Sequence, residues 1–182
     1  MIIRKATEQD IPEIKTIIDT LQVSRDQPDW EKRTSGLFEY PKSYQELYEA
    51  LNPWFYIAET SSGIRAYSLA YDSKFFRKQF VNTTCPEFQN ILRETRDFLY
   101  WDQIGVLNPD SLGAGRIVNP LIDKTIRIAR SRTLEKAFAY VCEEPFHNKR
   151  SANFLKRKGF RRIRKVPIEN QVVLAMYELS LR

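Results

Sequence analysis

Two glycines spaced G-x-G, placed just after a run of strand-forming residues, carry the clearest chemical signal in this sequence. Asp102-Gln103-Ile104-Gly105-Val106 leads through Leu107-Asn108-Pro109-Asp110 into Ser111-Leu112-Gly113-Ala114-Gly115-Arg116, where a helix is expected to begin. Glycine lets the backbone turn tightly and approach a ligand closely, and free N–H groups at a helix N-terminus bind phosphate. A purely structural turn would carry the same glycines, so the motif needs company. Pro120 fits best within the first four helical residues, whose amides lack intrahelical partners anyway. That sets the expected helix start near Ile117 and leaves the amides around Gly113 to Ile117 for a ligand. Two familiar phosphate loops are excluded. A Walker loop needs Gly-Lys-Ser/Thr, but Gly115 is followed by Arg116-Ile117, and a Rossmann fingerprint needs a third glycine early in the chain.

Other chemistries fall to counting. His147 is the single histidine, so sites with several His ligands and the His-Glu-x-x-His zinc motif are excluded, and no metal is expected. No nucleophile-elbow motif accompanies His147, which argues against a Ser–His–Asp hydrolase. Cys85 and Cys142 form no CxxC pair and no disulfide framework, which suits a reducing cytoplasm. The 29 basic and 23 acidic side chains leave a net charge of +6, which favours anionic ligands without choosing among nucleotide cofactor, nucleic acid and acidic substrate. The densest positive stretch, Lys156 to Lys165, reads first as a solvated helix end, with attraction of phosphates as the sharper alternative. No run approaches the roughly 20 apolar residues of a membrane helix, mean hydropathy is −0.48, and a soluble protein is expected.

These residues need elements to position them, and 182 residues with 42% hydrophobic content suffice for one core. Ile2-Ile3-Arg4 reads as a strand, and Ile11, Ile14, Ile18 and Leu21 mark a helix capped by Thr7 or Asp10. Residues 24–41 read as a loop and 43–51 as a second helix. Strands at 54–58 and 65–71 flank the hairpin turn Ser61-Ser62-Gly63. Residues 73–95 hold a basic-aromatic piece and a helix from about 87 to 96, followed by a strand over 98–106. The remainder reads as a helix after the glycines, a buried strand at 137–142, a helix over 148–158 ended by Gly159, and two closing strands. The fold class is α/β with a mixed sheet.

Taken together, the element order, the strand ending Ile104-Gly105-Val106, the D-x-x-G-x-G-R loop and the run Asn148-Lys149-Arg150-Ser151-Ala152-Asn153-Phe154-Leu155 resemble the GNAT N-acetyltransferase superfamily. The opening Ile3-Arg4-Lys5-Ala6-Thr7 with Asp10 is similar to how such domains begin. The resemblance covers the chain as one domain, 1–182, with 73–97 the least matched part and a family-variable insertion in this reading. It implies a mostly antiparallel, twisted sheet with helices on both faces and a splayed central strand pair.

The resemblance further implies an acetyl-CoA cosubstrate and a primary amine acceptor, either a small molecule or a peptide. Backbone at Ile104, Gly105 and Val106 would pair with the pantetheine arm. Amides of Leu112, Gly113, Ala114, Gly115, Arg116 and Ile117 would hold the pyrophosphate, and Asn148 would contact the arm or nearby backbone. Tyr100, Asp102, Ile104 and Val106 share one strand face by the period of two. Several family members carry the base or proton wire at the places matching Tyr100 and Asp102, although each also fits a structural role. Two residues depart from the pattern. Asp110 stands where the loop usually opens with Arg or Gln, and Leu155 stands where a Tyr usually protonates the thiolate. Tyr140 and Cys142, on one face of the next strand, are replacement donors, though a small buried hydrophobe is the default for Cys142. His147 is expected beside the cleft, or simply exposed as a helix-entry residue. The alternatives are a non-catalytic acyl-CoA-binding module, suggested by Leu155, and a nucleic-acid-bound acceptor such as charged tRNA, suggested by the charge. A monomer or homodimer is expected.

Overall fold

In the computed structural model, which describes residues 1–33, 35–38, 42–80, 86–109, 111–168 and 171–182, the chain begins with β1 (Ile2–Lys5), α1 (Ile11–Leu21) and β2 (Gln22–Val23). It continues through β3 (Leu37–Phe38), α2 (Tyr44–Glu49), β4 (Phe55–Thr60), β5 (Gly63–Asp72), α3 (Ser73–Gln79) and α4 (Pro86–Glu94). The second half holds β6 (Phe98–Val106), α5 (Ala114–Ser131), β7 (Lys136–Glu144), α6 (Lys149–Arg157), β8 (Arg161–Ile168) and β9 (Val172–Ser180).

Seven of these strands form one sheet in the order β1-β4-β5-β6-β7-β9-β8. Every pairing is antiparallel except β6 with β7, which α5 connects as a crossover. Each face is covered. Ile11, Ile14, Ile18, Leu47, Phe76 and Ile91 bury the helices α1 to α4 against Phe55, Ile57, Tyr67 and Leu69 on one side. On the other side Val118, Ile122, Ile126 and Ala129 of α5 and Ala152 and Leu155 of α6 pack on Leu99, Trp101, Ala137 and Ala139. The apolar spacing of α1 and α5 fixes which stripe goes inward.

Three expectations change here. α5 begins at Ala114, not near Ile117, so Pro120 lies inside the helix. Proline there withholds one backbone hydrogen bond, and the helix runs through it because its apolar stripe is anchored on the sheet. Residues 73–79, read as an unassigned basic-aromatic piece, form α3. The Asp72 carboxylate caps it, accepting from the Phe75 N–H at 2.8 Å and from Trp54 Nε1 at 2.9 Å. The stretch read as a loop after Ser24 contributes β3, paired in parallel with β2.

Candidate functional site

Two irregularities in β6 create the site. The first is a bulge. Ala70 of β5 opposes Trp101 while Leu69 opposes Gln103, so Asp102 is the extra residue. A bulge re-aims the side chains beyond it. Tyr100 therefore joins the core beneath α1 to α4, whereas Ile104 packs with the core beneath α5 and α6. Val106 packs beside Tyr56, Ala58, Ala66 and Leu121. The expectation that Tyr100, Asp102, Ile104 and Val106 share a face is thus corrected; the period of two fails at the bulge.

The second irregularity is a splay. The β6–β7 ladder ends at Trp101 opposite Ala139, while β6 stays paired with β5 to Val106 and β7 stays paired with β9 to Glu144. The gap opens into a cleft of about 1340 Å³ lined from both faces of the sheet. On the α5 side it is lined by Ile104, Val106, Ala114, Gly115, Val118, Val141, Phe154 and Leu155. On the other side it is lined by Leu21, Leu37, Phe80, Phe88, Tyr100, Tyr140, Val166, Ile168 and Leu174, with Lys42, Glu46 and Asp102 the charged groups there.

The residues expected to bind a cofactor divide accordingly. Ile104, Val106, Ala114, Gly115 and Asn148 line the cleft. Gly105 does not; a Cβ there would stand 2.2 Å from the Tyr67 ring, so this glycine serves internal packing. Leu112 is fully exposed and Arg116 exposed, while Ile117 packs toward Leu121. The Ala114 and Arg116 amides already donate to the Ser111 and Gly113 carbonyls, at 3.1 and 3.0 Å. Gly113 and Gly115 answer differently. A Cβ at Gly113 would meet nothing within 4 Å, and one at Gly115 would meet only Asn119 Nδ2 at 3.5 Å. The chain's own packing does not require these two glycines. Arg150, whose guanidinium donates to the Pro109 carbonyl, and Arg157 bring positive charge to this end. Asp110 lies outside the described residues, as does Cys85.

Asn148 is buried and engaged by protein. Its Oδ1 accepts from the Ser151 N–H at 3.0 Å, capping α6, and its Nδ2 donates to the Gly36 carbonyl at 2.9 Å. Asp102, Tyr100 and Tyr140 come together on one side of the opening, with the two tyrosine rings 6.0 Å apart. Asp102 Oδ2 accepts from the Tyr71 hydroxyl at 3.2 Å and pairs with Lys42 Nζ at 3.0 Å. Burial, then the neighbouring Asp102 charge, raises the Tyr71 phenol well above its ordinary value, so Tyr71 remains a hydrogen-bond donor at neutral pH. Tyr140 and Cys142 both line the cleft, and so does Leu155. His147 does not; it is exposed beside Glu143, Arg162 and Tyr177 in a separate shallow depression. Among the described residues, no group of three or more His, Cys, Asp or Glu side chains could hold a metal ion.

A seven-stranded mixed sheet, splayed at its one parallel pair with a helix start at the mouth of the gap, can be compared with known proteins as a whole. No protein-family model and no curated protein sequence matches the chain. Solved structures do. An N-acetyltransferase from Staphylococcus aureus Mu50 superposes with a TM-score of 0.63 at 16% identity, over 100% of this chain and 98% of the other. A GNAT-family acetyltransferase from Streptococcus agalactiae gives 0.62 at 15% identity, over 98% and 94%. The ribosomal-protein-S18-alanine N-acetyltransferase from Escherichia coli gives 0.61 at 12% identity, over 99% and 93%. The chain has the GNAT fold.

Within that fold, sequence reasoning missed Lys42 and Arg150. Lys42 lies in a stretch without pattern, about 60 residues before Asp102, and nothing in its local sequence marks the pairing. Arg150 sat within the resembling motif, but its reach to Pro109 depends on how α6 and the loop before α5 meet.

Proposed function

We propose that this chain, residues 1–182 acting as one unit, transfers the acetyl group of acetyl-CoA to a primary amine. The observation that carries the reading is the gap between β6 and β7, lined from both faces of the sheet. An opening of that kind lets a thioester held on the α5 side meet an amine arriving from the other. Support comes also from the open space at Gly113 and Gly115, and from the cationic Arg150 and Arg157. Acetyl-CoA would supply the activated acyl group, and the amine would attack it directly.

The chain's own groups then have defined tasks. An alkylammonium is almost fully protonated at neutral pH, so a base must take its proton before attack. Asp102 is the carboxylate at the opening, oriented by Tyr71 and Lys42, and an incoming ammonium would compete with Lys42 for it. The departing thiolate draws its proton from Tyr140, Tyr100, Cys142 or water, since Leu155 has none to give. A thiol pKa near 8 to 9 makes that step undemanding. The apolar Leu155 favours a second reading, a binding module that holds acetyl-CoA without turnover.

Calorimetry with acetyl-CoA tests the binding half. Gly113→Val or Gly115→Val should weaken affinity at least tenfold in folded protein, because the added side chain meets ligand and not protein. Wild-type affinity in both variants would remove the loop from the site. Acetyl-CoA-dependent thiol release over a panel of amines separates enzyme from binding module.

A further inference from the structure

The acceptor side of the cleft differs in kind from the cofactor side, and its lining identifies what it takes. Phe88 is the centre of an aromatic group, with its ring 5.0 Å from Phe80, 5.5 Å from Tyr100 and 6.0 Å from Tyr140. Ile168 and Leu174 continue the apolar wall. Phe80, Phe88, Tyr140, Ile168 and Leu174 are only partly buried by the core they pack against, and they line the cleft as well. Apolar surface left accessible inside a cavity favours an apolar occupant.

The charged groups on this side are Lys42, Glu46 and Asp102. Asp102 is paired with Lys42, and the Glu46 carboxylate accepts from the Ser43 N–H at 2.7 Å within the cap of α2. That bond holds the Glu46 carboxyl below its usual range, with Lys42 adding to the effect. Glu46 is exposed and, as an ionised carboxylate, keeps acceptor sites beyond that bond, so the apolar wall and not a lack of charge sets this side apart.

We propose that the acceptor is a primary amine bearing one bulky apolar group. It would enter with the apolar group against Phe80, Phe88 and Ile168 and the nitrogen toward Asp102. This rests on the acetyl-transfer reading. The ammonium first gives one proton to Asp102, which passes it to solvent, and the freed nitrogen lone pair then attacks the thioester carbonyl. The C–N bond forms as the C–S bond breaks, the nitrogen loses its second proton to Asp102 or water, and the departing thiolate takes up one proton, so ammonium and thioester become amide, thiol and one released proton.

The test compares 2-phenylethylamine with 1,4-diaminobutane on the wild-type protein, by kcat/KM for thiol release and by calorimetric Kd for each amine without acetyl-CoA. A dipeptide beginning with phenylalanine, as a third arm, distinguishes a peptide N-terminus from a free amine. At least a tenfold preference for the phenyl-bearing amines is expected, the scale on which apolar pockets discriminate. Ile168→Glu, folded by its thermal transition, should cut that preference at least fivefold by placing a carboxylate on the apolar wall. Equal or better use of 1,4-diaminobutane, through attraction of its charge to the ring faces, would overturn the inference. Absence of binding by every amine would do the same. Loss of acetyl-CoA binding with the amine preference intact would instead remove the acetyl-transfer reading and leave the apolar site standing.

Discussion

Asp102 owes its position to a single extra residue. As the bulged residue of β6, it turns toward Tyr71 and Lys42 and away from the wall that Ile104 and Val106 build. If it takes the acceptor's proton, Asp102→Asn should lower kcat/KM by about 10²- to 10⁴-fold, the usual contribution of a general base. Tyr140→Phe should cost less, because thiolate needs little help to leave. The pH–rate profile checks the assignment: the variant should regain part of its activity at high pH, where free amine is plentiful. Full activity across the range would make Asp102 structural and pass the role to Tyr100 or a water chain. The candidate residues themselves were legible, because a carboxylate two residues before Ile104 on a β-prone run stands out. Their facing was not. A bulge is set by pairing with β5, and no residue type in Tyr100 to Val106 announces it.

At the scale of the element, the cap of α6 ties that helix to the residue just before β3. Asn148 makes one bond within its helix turn and a second to Gly36, which is 112 residues away. Removing both should cost about 2 kcal/mol, one for the cap and one for the second buried bond. Asn148→Ala should therefore melt about 4–8 °C lower, on the scaling for a chain of this size. Asn148→Ser, which keeps the cap, should lose about half as much. A melting temperature unchanged in the alanine variant, with weaker acetyl-CoA affinity, would return Asn148 to direct contact with the cofactor arm. Element existence was largely legible in the sequence. β6 runs over 98–106 as expected, and α1, α5 and α6 follow their apolar periods. The start of α5 was not, because Pro120 argued locally for a later start and lost to packing of the whole stripe on the sheet. Nor was α3, whose cap Asp72 is also the last residue of a strand.

On the scale of the whole molecule, the splay between β6 and β7 puts the cleft in mid-sheet, and the sheet's far edge must hold without it. Sequence periodicity gives the strands but not where a ladder stops, since that depends on the pairing of both neighbours. The edge strand β1 pairs only with β4, and a polar lock secures that corner. Arg4 grips Asp10 with both terminal nitrogens at 2.7 Å and reaches Glu59 with Nε at 2.8 Å. The Thr7 N–H and hydroxyl donate to the same Asp10 carboxylate, each at 2.8 Å. The Arg4 hydrogen bond first, and then the Thr7 bonds, hold the Asp10 carboxyl below its ordinary value against the opposing effect of burial. A carboxyl with a lowered folded-state pKa stabilises the fold fully above its unfolded value, near 3.9, and that contribution disappears as pH falls through the lower folded value. Wild type should thus lose urea resistance below about pH 4. Asp10→Asn should be less stable at pH 7, and its gap from wild type should narrow as the medium is acidified through that window. Urea midpoints of the two proteins at pH 7 and pH 3 measure this. A gap that stays constant would mean that ionisation of Asp10 adds nothing, and that the variant has lost only contacts whose strength does not change with its charge.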